Sequence, residues 1–91
     1  MAARRKIKVV YKKLGRENAW GRADDYVEID PRVFGKKHLE VLTHECLHVL
    51  FPEATEEEIT RKAILLTNTL WHQQYRRIDN TNIIPLQDGT K

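Results

Sequence analysis

Cysteine is nearly absent. Cys46 stands alone among 91 residues, so no disulfide can form within the chain. A lone thiol fits a reducing compartment. Long apolar runs are missing too. The stretch that follows the basic N-terminus is only Val9, Val10 and Tyr11. It is too short for the core of a signal peptide and far too short for a membrane span. The expectation is a cytoplasmic protein with no membrane partner. No removable activation segment, internal repeat or low-complexity tract is visible. Neither sign of charge dominates: the net charge is +3, with 32% charged and 41% hydrophobic residues. That balance excludes a disordered chain and indicates a soluble globular one. The length allows one domain, residues 1–91, with frayed ends at 1–5 and 87–91. Much of the positive charge falls at Arg4, Arg5, Lys6, Lys8, Lys12 and Lys13. A nucleic-acid surface calls for denser, face-clustered cations interleaved with aromatics, so nucleic acid is not expected as a partner.

What is present divides into two periods. Residues 6–14 are β-branched and partly alternating, and read as a strand. Gly15 to Asn18 is a turn candidate, and Gly21 to Asp25 reads as loop. Tyr26-Val27-Glu28-Ile29-Asp30 alternates cleanly, which predicts a second strand that Pro31 stops. From about Lys36 the period becomes helical. Leu39, Leu42, Cys46, Val49 and Leu50 form one broad apolar face, with Val41, His44, His48 and Phe51 around the other side. Such a helix is central and buried. Pro52 ends it. Thr55 and Glu58 form a capping box for a second helix reaching about Tyr75, with Ile59, Ala63, Leu66 and Leu70 as its inward stripe. Ile83-Ile84-Pro85-Leu86 could pack back as a short extended segment. The fold class expected is α+β: a small antiparallel sheet covered by two helices.

The first helix carries His44-Glu45-Cys46-Leu47-His48, which reads H-E-x-x-H. Histidines four apart lie on one helical face, about one turn from each other. Two imidazoles so placed can grip one zinc ion, with Glu45 beside them to take a proton from water. In an apolar helix, two imidazoles and a carboxylate without a shared partner would be costly. A catalytic zinc takes three protein ligands, so a third must come from elsewhere. The acidic start of the next helix is the nearest source. Glu56 shares the inward stripe, three residues before Ile59; Glu57 is turned roughly 100° away. Glu56 is the first choice and Glu57 the alternative. Capping and dipole compensation explain Glu58, and Glu53 lies in the loop. Cys46 points away from the histidines and reads as core.

The run from Thr43 to Ile59 resembles the zincin metallopeptidases, specifically a minimal gluzincin-like form. It is similar to short phage and bacterial proteins of that kind. The resemblance covers about residues 20–72. It implies His44 and His48 as zinc ligands, Glu45 as the catalytic carboxylate, and a Glu ligand at 56 or 57. Three departures stand out. No third histidine follows a glycine, as in metzincins. Thr60 and Arg61 hold the positions where an acid usually lies one turn beyond the ligand Glu. The sheet is short, so a groove would be shallow.

The expected activity is zinc-dependent hydrolysis of a peptide bond, with a peptide or protein as substrate. The substrate would lie along an edge strand, plausibly Tyr26 to Asp30. Tyr75, Tyr26, His72 and His38 are candidates to stabilise the oxyanion. Trp20 packs over a helix end or lines the groove. The rival functions are a non-catalytic zinc module that binds a protein, and a small nucleic-acid accessory protein using the N-terminal cations and Arg76-Arg77.

Overall fold

A computed structural model describes residues 5–78. The segment at 83–86 and most of the two ends expected to fray lie outside these residues. Three short strands form one sheet: β1 (Val9–Tyr11), β2 (Gly21–Ala23) and β3 (Val27–Ile29). Two helices follow, α1 (Gly35–Leu50) and α2 (Glu56–His72). The architecture is α+β, a three-stranded sheet with two helices.

The sheet order is β1-β3-β2. β2 pairs antiparallel with β3, Arg22 opposite Glu28. β1 pairs with β3 in parallel, Val9 beside Val27 and Tyr11 beside Ile29. The sheet is thus mixed, where the sequence suggested purely antiparallel pairing. The reason is β2. The segment expected as loop between Gly21 and Asp25 contains a strand, and it hairpins directly into β3. β1 is left the far edge of β3, which it joins running in the same direction. Between β1 and β2 the chain makes a single 3₁₀ turn, Gly15–Glu17, with Asn18 in the left-handed conformation after it.

The alternation in β3 sends Val27 and Ile29 inward, both fully buried. They pack with Val33 and Val41, and with half-buried Leu42, Cys46 and Val49 on α1. Each fully buried Val or Ile contributes about 1.5–3 kcal/mol. α1 contacts β2 and β3 on one side and α2 on the other, while α2 packs on α1 alone. The sheet is therefore covered by one helix, and α1 is the middle layer of three. The expected all-round burial of α1 is only partly met: most positions are half-buried, and Leu50 and Phe51 are exposed. On α2 the inward stripe is Ile59, Ala63 and Thr67, with Leu66 turned outward.

The link between the helices is tight. The Phe51 N–H donates to the Leu47 carbonyl at 2.8 Å, and the Ala54 N–H to the Phe51 carbonyl at 3.0 Å. Thr55 then caps α2: its Oγ1 accepts from the Glu58 N–H at 3.1 Å, and Glu58 Oε1 accepts from the Thr55 N–H at 3.2 Å. This reciprocal cap fixes which residue begins α2, and so which acid faces α1. No helix among the described residues is long and apolar enough to cross a membrane.

Candidate metal centre

The C-terminal half of α1 and the first turn of α2 meet at three side chains. His44 and His48 stand one turn apart with their Nε2 atoms 3.2 Å from each other. Glu56, the first residue of α2, reaches both: Oε2 lies 3.0 Å from His44 Nε2, and Oε1 2.8 Å from His48 Nε2. These three residues can each offer one ligand atom within 4.8 Å of the others. Glu57, the alternative, is exposed and outside this group, as are Glu53 and Glu58. Thr60, one turn beyond Glu56, donates through Oγ1 to Glu56 Oε2 at 3.4 Å. It occupies the position where the sequence lacks an acid.

The donor set suits zinc. Two imidazole nitrogens and one carboxylate oxygen are ligands that Zn²⁺ takes, and three of them leave a fourth position open. Zinc bonds of 2.0–2.1 Å at tetrahedral angles set ligand atoms about 3.3 Å apart. The observed separations of 2.8–3.2 Å are close to that spacing. Partial burial pushes the Glu56 carboxyl up, but His44 and His48 outweigh it and hold Glu56 below its ordinary value.

Glu45 faces the sheet. Burial lifts its carboxyl above the usual value, while the two histidines pull it back. Its side chain lies against Gly21 on β2. A Cβ at Gly21 would come within 2.6 Å of Val41 Cγ1 and 3.0 Å of Glu45 Cγ. Only a glycine lets the strand pass this close to α1. Burial also raises the Cys46 thiol, which packs on the sheet core away from the histidine rings.

Beside Glu45 and His48 lies an open groove of about 460 Å³, lined also by Arg22, Ala23, Asp24 and Pro52. Its wall is β2. The Trp20 carbonyl accepts from the Asp30 N–H, and the Asp24 N–H donates to the Tyr26 carbonyl. In the antiparallel alternation, residues 20, 22 and 24 therefore bond to β3, and Gly21 and Ala23 turn their peptide groups to the free edge. The strand expected to be the edge that receives a substrate, Tyr26 to Asp30, is not an edge. It is the central strand, paired on both sides.

The four oxyanion candidates are elsewhere. The Tyr26 hydroxyl donates to Glu28 at 3.3 Å. His38 is buried and bonded to the Tyr11 hydroxyl at 2.8 Å. His72 and Tyr75 lie at the far end of α2, about 24 Å or more from its start. Trp20 is half exposed, with the Arg32 guanidinium over its ring, at the end of β2 remote from the histidines.

The residues that sequence reasoning missed are Gly21, Arg22 and Asp24, whose strand has no alternation to reveal it, and Thr60. Thr60 carried a signal: it is four residues after Glu56, the spacing of neighbours on a helix surface. No protein-family model, curated protein or solved structure matches this chain.

Proposed function

We propose that the chain is a zinc-dependent peptidase of the minimal, gluzincin-like zincin type. The observation that carries this reading is the convergence of His44, His48 and Glu56, with Glu45 between that cluster and the free edge of β2. His44 and His48 hold the metal from α1 and Glu56 from α2. Bound there, zinc would lower the pKa of a coordinated water towards neutrality and polarise the scissile carbonyl. Glu45 takes the proton from the attacking water and passes it to the leaving amine. The peptide lies extended along β2, bonded to the outward peptide groups of Gly21 and Ala23. Arg22, Asp24 and Pro52 flank it. The half-buried setting of Glu45 limits the water that competes for its oxygens.

The test is direct. Purified protein dialysed against zinc is assayed for bound metal and for cleavage of a peptide library. His44→Ala should lose both metal and cleavage. Glu45→Gln should keep the metal and lose cleavage by about 10²-fold or more, the scale of one general base. A wild type that binds zinc but cleaves nothing would reduce the reading to a non-catalytic zinc module. A wild type without zinc would end it.

A further inference from the structure

The pole of the molecule opposite the metal cluster is cationic, and sequence-distant segments build it. β1 and β3 run parallel, so the chain leaving β1 lies beside the chain leaving β3 and entering α1. α2 folds back on α1, so its C-terminal end returns to the same place. Tyr11 marks the junction. Its hydroxyl meets His38 of α1, and the Arg77 guanidinium, just past α2, stacks 4.7 Å from its ring centre. Lys12, Lys13, Lys36, Lys37, Arg76 and Arg77 therefore share one end. Three of the carboxylates nearby are engaged elsewhere, and the fourth, half-buried Glu40, lines a pocket with Lys36 and Lys37 without an ion pair to either. Asp30 pairs with Arg32, Glu28 with Lys12 and Arg22, and Glu17 with Arg22. Among the described residues Lys13, Lys36, Lys37, Arg76 and Arg77 have no ion-pair partner.

Two further observations separate this end from an ordinary solvated surface. Lys36 and Lys37 occupy the first turn of α1, which contains no acid and has no side-chain cap. Cations there oppose the helix dipole, so local stability does not account for them, and they add to the dipole's positive field. Aromatics are interleaved with the cations. Phe34 is 83% exposed, Tyr75 64% and Trp20 49%. Arg32 stacks over Trp20 at 5.4 Å and Arg76 over Trp71 at 3.5 Å. Arg32 Nε and Nη2 donate to Asp30, and Arg76 Nη1 to the Trp71 and Tyr75 carbonyls, so the in-plane donors offered to phosphate oxygens are the remaining N–H groups of Arg76 and those of Arg77.

We propose that this pole binds single-stranded nucleic acid, with Lys36, Lys37, Arg76 and Arg77 on phosphates and Phe34, Tyr75 and Trp20 as stacking faces for bases. The pairing of exposed rings with unpaired cations is what a single strand requires: charge along the backbone and flat surfaces for unpaired bases. The proposal is independent of zinc, because the two sites lie at opposite ends of α1.

Fluorescence anisotropy of labelled 20-nucleotide RNA and DNA single strands tests it, against the matching duplex and phosphatidylserine vesicles. Both strands should bind at about 50 mM salt. The slope of log affinity against log salt should be about −3, the value for four phosphate contacts on a single strand. Lys36→Glu with Lys37→Glu should weaken binding at least tenfold. Phe34→Ala should weaken it about fivefold or more, the low end of one stacked base, without changing the slope. Lys6→Glu with Lys8→Glu, at the other end of β1, should change affinity less than twofold. Circular dichroism confirms that each variant is folded. Absence of salt-sensitive strand binding would overturn the proposal, as would an unchanged Lys36/Lys37 double variant. Vesicle binding without strand binding, or duplex bound as tightly as single strand, would also overturn it.

Discussion

Asp30 is fully buried, yet it stays ionised because four donors converge on it. The Arg32 side chain donates through Nε and Nη2 at 2.9 and 2.8 Å, and the Leu14 and Arg32 N–H groups at 2.9 and 3.0 Å. Arg32 first, then these N–H groups, hold the carboxyl far below the usual range against the opposing effect of burial. A carboxyl lowered on folding stabilises the fold above its unfolded pKa, about 4, and loses that contribution as pH falls towards the folded value. Urea melts should show the wild type weakening steadily below pH 4. Asp30→Asn should be less stable at pH 7 and flatter across the acid range. Gly21 makes a different demand. Gly21→Ala drives a Cβ into Val41 and Glu45. It should cost about 1–3 kcal/mol, the usual range for overpacking. Gly15→Ala, whose nearest neighbour is the movable end of Arg32 at 3.4 Å, should melt within about 0.5 kcal/mol of wild type. At this scale the grouping of His44, His48 and Glu56 was legible in the sequence. Helical spacing sets the first two, and the Thr55 cap sets the phase of the third. Gly21 was not legible, since its role is a close approach between segments twenty residues apart and more.

The helices were readable because their signals are local. α1 ends before Pro52, and α2 begins at a capping box that both partners complete. Thr55→Ala should cost about 1 kcal/mol in denaturant melts, the typical worth of such a cap. It should also loosen the first turn, where Glu56 sits, so zinc affinity should fall more than stability alone requires. The strands were harder. β3 announced itself by alternation, but β2 has Gly21 and Ala23 where alternation would need large side chains. Its existence depends on pairing with β3, a tertiary fact. Missing β2 also made β3 look like an edge strand and hid the parallel partnership of β1. On α2, Thr67 takes the place expected for Leu66 because the buried row runs i, i+4, i+8 through Ile59, Ala63 and Thr67, and Leu66 lies about 100° round the helix from Thr67. Thr67 Oγ1 is buried with no hydrogen-bond partner among the described residues.

Taken whole, the molecule is a stack of sheet, α1 and α2, with the His44, His48 and Glu56 group at one end of the helix pair and, at the other, cations that have no ion-pair partner among the described residues. In the sequence Lys12 and Lys13 belong only to the N-terminal run of cations, because their clustering with Lys36 and Arg77 arises only when β1 runs parallel to β3. The proposed metal ligands come from both helices, so binding would clamp α2 onto α1 and raise stability by mass action. The most direct measurement is therefore zinc stoichiometry together with melting temperature, before and after chelation, for wild type, Glu56→Ala and Glu57→Ala. The account predicts one zinc per chain and a melting temperature that drops on chelation for wild type and Glu57→Ala. Glu56→Ala should bind zinc at least tenfold more weakly and melt at the chelated value with or without metal. Equal zinc binding in all three proteins, or none in the wild type, would contradict the convergence of His44, His48 and Glu56 on a shared ion.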